Sequence, residues 1–131
     1  MIEENYVSFE TAKLLKEKGF DEKCMSYYGH GEFHLGHPKY MKSNTDRDGV
    51  AFNGVPYDAY NAPTLQMAME WLREKYNIHI EPRYFPMPNI YRYVIIHSPA
   101  TFENIDSHPQ YFNTHEEACE AAIKYCLENL I

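Results

Sequence analysis

Little in this chain can cross-link it, anchor it or hold a polyanion. Its 131 residues include three cysteines. That odd number at no framework spacing excludes a disulfide scaffold of the secreted kind and points to free thiols in a reducing cytoplasm. No stretch approaches the ~20 apolar residues of a membrane-spanning helix, so a membrane is not an expected partner. Residues 1–20 carry no apolar run closed by a small-residue cleavage site, so no secretory leader is expected. Basic charge is scarce: 12 Lys and Arg against 19 Asp and Glu leave a net charge of −7. Such a surface repels phosphate backbones, which weighs against double-stranded nucleic acid. No glycine-rich phosphate loop precedes a helix, and Ser26, Ser43, Ser98 and Ser107 sit in no nucleophile elbow. Internal repeats and low-complexity tracts are absent too. The balance leans away from an enzyme.

Aromatic rings, by contrast, are plentiful: 12 Tyr and 7 Phe. Tyrosine joins an apolar body to a polar tip and suits wet interfaces as well as half-buried cores. The length fits one domain with a core that needs no staple. Three helices mark their own ends. Ser8 caps the first, Val7 can staple against Ala12, and Gly19 with Phe20 closes it. The second opens at Asn61-Ala62-Pro63-Thr64 and closes at Asn77-Ile78. Its apolar face carries Leu65, Ala68, Met69, Leu72 and Tyr76, with Met67 and Trp71 beside them. The third opens at Thr114-His115-Glu116-Glu117, where Thr114 and Glu117 form a capping box. Ala118, Ala121, Ala122 and Tyr125 make its buried stripe, extended by Cys119, Cys126 and Leu130. Cys119 and Cys126 lie on one face, too far apart along the axis to bridge.

Strand signals fall between the last two helices. Residues 78–85 alternate, and Pro82 places that strand at an edge. Tyr91–His97 is the strongest run, with Val94-Ile95-Ile96 expecting burial on both faces. Gln110-Tyr111-Phe112 is expected as a short third strand. The fold class is therefore α+β: a small antiparallel sheet of about three strands, open to extension by N-terminal strands, against two main helices plus an N-terminal helix. The organisation expected is one domain over 1–131. An N-terminal helix fills 1–20, a glycine- and aromatic-rich loop region 21–60, and an α-β-β-β-α core 61–131. Cys24–Tyr28 and Gly49–Phe52 could form short strands within the loop region.

That long segment draws the functional candidates, because a loop of its length in a compact domain is usually functional. Cys24, His30, His34 and His37 gather soft and borderline ligands that zinc accepts, though their spacing matches no standard zinc module. Asn44-Thr45-Asp46-Arg47-Asp48-Gly49 begins like a calcium loop. The twelfth position holds Val55 in place of Glu, so a polar turn is the expectation. His34, His37, Lys39, Tyr40, Lys42 and Arg47 form a basic patch near Tyr27, Tyr28, Tyr57 and Tyr60. Cations meet phosphate and a tyrosine face stacks on a base, so a small anionic or aromatic ligand is one candidate. The contact residues expected for a ligand or partner are Tyr27, Tyr28, His34, His37, Lys39, Tyr40, Lys42, Arg47 and Tyr57.

The order helix–strand–strand–strand–helix resembles the double-stranded-RNA-binding domain in topology only. That family places lysines at the start of its final helix and a Gly-Pro-x-His turn between its first two strands. Here those places hold Thr114-His115-Glu116-Glu117 and Pro86-Met87-Pro88-Asn89, so the resemblance implies a fold without the RNA function. Residues Tyr6 to Phe20, Ala62 to Gln66 with Trp71 to Lys75, and Glu116 to Ile123 resemble small uncharacterised proteins of gut-bacterial phages and prophages. These stretches cover about a third of the chain. The resemblance implies an accessory protein in the host bacterial cytoplasm and transfers no catalytic residue. The reading is a non-enzymatic binding protein for a host protein or small ligand. A sponge for nucleotide-type signals and a zinc hydrolase built on Cys24 and His30–His37 are the alternatives. Assembly with further copies of itself stays open.

Overall fold

Ser8 ends the extended N-terminal approach by accepting a hydrogen bond from the Thr11 amide at 3.2 Å, which starts α1 (Phe9–Glu17). Gly19 closes it at φ 90°, a conformation that glycine adopts without strain. The Phe20 amide then reaches back to the Leu15 carbonyl at 2.9 Å. The computed structural model describes residues 4–48, 51–52, 55–56, 58–103 and 111–131. The chain divides into two compact units, Met1–Thr64 and Leu65–Ile131.

In the first unit, residues 21–60 are far from structureless. β1 (Tyr27–Gly29) and β2 (Glu32–His34) form a hairpin with Gly29 opposite Glu32. His30 and Gly31 turn it with φ of 51° and 77°, the pair of positive values that a two-residue hairpin loop needs. A 3-10 turn (Pro38–Tyr40), the short helix α2 (Asn44–Arg47), β3 (Ala51–Phe52) and β4 (Val55–Pro56) follow. β5 (Ala59–Asn61) then pairs antiparallel with β1, giving a sheet of order β2-β1-β5. These N-terminal strands build their own sheet and do not extend the C-terminal one. Val7, Ala12, Leu15 and Phe20 are the buried apolar centre of this unit.

The second unit begins with α3 (Leu65–Tyr76), with Pro63 two residues ahead of it. Leu65, Ala68, Trp71 and Leu72 are buried, as the 3.6-residue spacing requires. Asn77 takes the left-handed conformation at φ 55°, and the Ile78 amide closes on the Leu72 carbonyl at 3.2 Å. β6 (His79–Phe85), β7 (Ile90–His97) and β8 (Ala100–Glu103) form an antiparallel sheet of order β6-β7-β8, with Pro82 on an edge strand. Val94 and Ile95, adjacent on β7, are both buried, so both faces are covered there.

The third strand differs from expectation. It is Ala100–Glu103, which pairs with Val94–His97 after a tight turn at Ser98 and Pro99. Pro99 reads in sequence as a break, which hid the four-residue strand behind it. Phe112 makes only a bridge to Tyr91, and Gln110 lies outside the described residues.

α4 (His115–Asn129) packs on β6 and β7 and against α3. Thr114 accepts from the Glu117 amide at 3.1 Å, while the Glu117 carboxylate accepts from Asn113 at 3.3 Å, one residue earlier than a capping box requires. Its buried stripe is Ala118, Cys119, Ala122, Ile123, Cys126 and Leu127. Ala121 and Tyr125 are only half-buried, so the helix is rotated from the expected face. All three cysteines are free and buried. Among the described residues no helix is long and apolar enough to cross a membrane.

Candidate functional site

Asn61 lies at the centre of the polar interior of the first unit and is fully buried. Its amide donates to Asn44 Oδ1 at 2.7 Å, and its Nδ2 donates to the carbonyls of Glu22 at 3.0 Å and Lys42 at 2.7 Å. Its Oδ1 accepts from Arg47 Nε. Asn44 Nδ2 donates in turn to the Phe20 carbonyl at 2.7 Å. Arg47 Nη2 donates to the Cys24 carbonyl at 2.9 Å, and the guanidinium lies 4.2 Å from the centre of the Tyr27 ring. This network ties three stretches of chain, 20–27, 42–47 and Asn61, through neutral acceptors and one cation. Such fully satisfied networks fix a unique arrangement.

The segment that begins like a calcium loop, expected to be a polar turn, forms the short helix α2 and its cap. Ser43 and Asp46 form a reciprocal capping box for α2, with Ser43 Oγ 3.1 Å from the Asp46 amide and Asp46 Oδ2 3.3 Å from the Ser43 amide. Asp21 accepts from the Thr45 amide at 2.7 Å and from its hydroxyl at 2.8 Å. The Thr45 backbone bond, then its hydroxyl, holds the Asp21 carboxyl below the usual range. Here the end of α1 and the start of α2 border a polar cleft of about 240 Å³. Lys16 at its wall is engaged by Asp48 Oδ1 at 2.6 Å and the Ala59 carbonyl at 3.1 Å. Lys16 and Asp48 therefore pair with each other there, while Asp21 is held by Thr45.

The nominated residues divide into three groups. Cys24, Tyr27, His34 and Arg47 cluster: His34 lies opposite Tyr27 in the hairpin and its ring stacks at 4.9 Å between centroids. Arg47 is buried and bound internally, so its charge serves the fold. The Cys24 thiol is pushed up to about 12 by burial, with Arg47 opposing, which keeps it protonated and unreactive at neutral pH. Tyr28 belongs to a second group. Its hydroxyl donates to the Val7 carbonyl at 2.7 Å and its ring meets Phe9 and Phe33 edge-on, so it braces α1 against the hairpin.

His37, Lys39 and Tyr40 form the third group, on the 3-10 turn. His37 Nδ1 accepts from the Lys39 amide at 3.0 Å, and Lys39 Nζ lies 5.9 Å from the Tyr40 ring centre. Lys42 is exposed and joins Cys24 through backbone bonds. His30 is exposed in the hairpin turn. Among the described residues no group of three or more His, Cys, Asp or Glu is placed to hold a metal ion, so Cys24, His30, His34 and His37 do not converge. Tyr57 lies outside the described residues.

In the same stretch as the nominated Tyr40, the surface also holds three residues that sequence reasoning passed over, Phe33, Leu35 and Met41. Phe33, Leu35, Tyr40 and Met41 are large, apolar and exposed, at 41%, 68%, 65% and 45%. They cluster in residues 33–41, around the third group. The signal was present in sequence as large apolar side chains that follow neither a period of 2 nor of 3.6. Gly36 holds this stretch against the hairpin entry: a Cβ there would stand 1.8 Å from the Met25 carbonyl oxygen. Close approach of two backbones at this point requires glycine. The exposed side chains are thus carried on a positioned strap rather than a free loop.

No protein family, curated protein or solved structure matches this chain.

Proposed function

We propose that the chain is a non-enzymatic binding protein, of the accessory kind carried by phages and mobile elements, which occupies a host protein in the bacterial cytoplasm. One observation carries the reading: Phe33, Leu35, Tyr40 and Met41 are all exposed within the nine residues 33–41. Exposed apolar groups concentrated in one stretch, rimmed by polar residues, mark interaction surfaces. His37, Lys39 and Lys42 supply that rim. Tyr40 and Phe33 are anchor types, with a large contact area on few rotatable bonds.

The other readings have less support. A nucleotide-type ligand would lose Arg47, which is committed to Asn61 and Cys24, and would keep Lys39 beside Tyr40. A zinc hydrolase needs converging ligands. The contact residues we assign are therefore Phe33, Leu35, His37, Lys39, Tyr40 and Met41.

The test compares the wild-type chain with Leu35→Ser and Tyr40→Ala, by pull-down from host lysate and sedimentation of the captured complex. Both positions are largely exposed, so melting temperatures are expected to stay unchanged while capture is lost. Capture that persists at wild-type levels in the double variant refutes the assignment.

A further inference from the structure

In the β6–β7 hairpin, Arg83 and Arg92 are directly opposite each other. Side chains so placed share one face of the sheet with their Cβ atoms ~5 Å apart, and like charges there repel. Phe85 and Ile90 are the next pair on that face towards the turn, and Glu81 and Val94 the next pair away from it. The opposite face carries Tyr93 and Ile95, both buried, and the Tyr93 ring meets Tyr125 of α4 at 6.5 Å between centroids. The arginine face is open near the turn: the Arg83 side chain is 53% exposed and Phe85 is 41% exposed.

Among the described residues little offsets the repulsion. Arg83 meets Glu81 only at 3.5 Å, in an exposed pair. Arg92 rests its guanidinium 5.7 Å from the Phe85 ring centre, and its Nε is buried without a hydrogen-bond partner among the described residues. A fold that keeps two opposed arginines and an unmet donor breaks a local rule of sheet design, and such breaks concentrate at functional positions.

We propose that this face binds the carboxylate side chains of an acidic segment of a partner protein. The register brings two arginines to one place on the sheet, and each guanidinium carries a fork of N–H donors that matches carboxylate geometry. Phe85 offers an apolar contact next to them. Charge selects carboxylate over nucleic acid: Glu81 borders the pair, and the chain carries −7 overall, so a strand with one phosphate per nucleotide meets repulsion on every side. An acidic peptide places its charges only where the arginines are. The site lies in the second unit.

Fluorescence anisotropy of the full chain with a fluorescein-labelled peptide that carries one pair of glutamates among neutral residues tests this, beside a peptide with lysines in their place and an oligo-uridylate of equal length. The glutamate peptide is expected to bind and the other two are not. Arg83→Ala and Arg92→Ala each weaken binding about tenfold. Arg92→Lys weakens it nearly as much, because lysine keeps the charge and loses the fork. Arg83→Ala leaves the melting temperature equal or raises it, since it relieves the like-charge pair; a merely structural arginine would lower it. Because Arg83 is exposed, that variant alone decides the matter if Arg92→Ala fails to fold. Three outcomes overturn the proposal: no peptide binding at millimolar concentration, binding untouched by Arg83→Ala, or oligo-uridylate bound through the same arginines.

Discussion

Replacing Asn61 with alanine strikes the first unit where it is most interdependent. The variant keeps the residue 61 amide bond to Asn44 Oδ1 but deletes three others. The carbonyls of Glu22 and Lys42 lose their donor, and Arg47 Nε loses its acceptor. Two neutral bonds contribute ~1 kcal/mol each, and a bond from a charged donor ~1.5–3 kcal/mol. Water cannot repair the loss easily, since the side chain is fully buried. The expected destabilisation is therefore about 3.5–5 kcal/mol, a large share of the ~5–15 kcal/mol that holds a typical domain. Asn61→Asp separates hydrogen bonding from charge. It keeps an acceptor for Arg47 but sets an oxygen against the Glu22 and Lys42 carbonyls, so it destabilises despite the added attraction. Hydrogen exchange at residues 22–28 and 42–47 reads the effect locally, and urea unfolding followed by far-ultraviolet circular dichroism gives its size. The only tryptophan, Trp71, belongs to the second unit and is the wrong probe for it. A loss below about 1 kcal/mol for Asn61→Ala refutes the assignment of this network as the organiser of the fold.

Other perturbations have equally definite outcomes. Gly36→Ala forces a Cβ to within 1.8 Å of the Met25 carbonyl oxygen, and thermal melting should show a loss above ~2 kcal/mol. Ile123→Ala opens a cavity at a fully buried position, and unfolding followed by Trp71 fluorescence should show a loss of ~2–5 kcal/mol. Burial pushes the thiols of Cys24 and Cys126 up to about 12 and that of Cys119 up to about 11, from an ordinary 9.0. Their native forms hold protons that the unfolded chain releases above pH 9.0, so their contribution is full below that value and is lost as pH rises towards 11–12. Urea midpoints measured across that range should fall, and a disulfide reagent at pH 8 should label the cysteines only after denaturation.

The sequence by itself determined the local elements. Ser8, Gly19, Asn77 and Thr114 act through hydrogen bonds and backbone angles within a few residues, so the three long helices were legible at their ends. Alternation made β6 legible and the apolar run Val94-Ile95-Ile96 made β7 legible, and Pro82 alone was enough to place β6 at an edge. Tertiary structure decided whatever depends on distant partners. Nothing near Asn44 or Arg47 in the chain reveals that Asn61 will meet both, so a stretch expected as a polar turn became a buried clamp. The same long-range pairing of β5 with β1 turned an expected loop into a sheet. Exposure of Leu35 and Tyr40, and the meeting of Arg83 with Arg92, are likewise properties of the folded surface and the strand register. Caps and periods act over a few residues, whereas burial and cross-strand contact exist only once the chain has closed on itself.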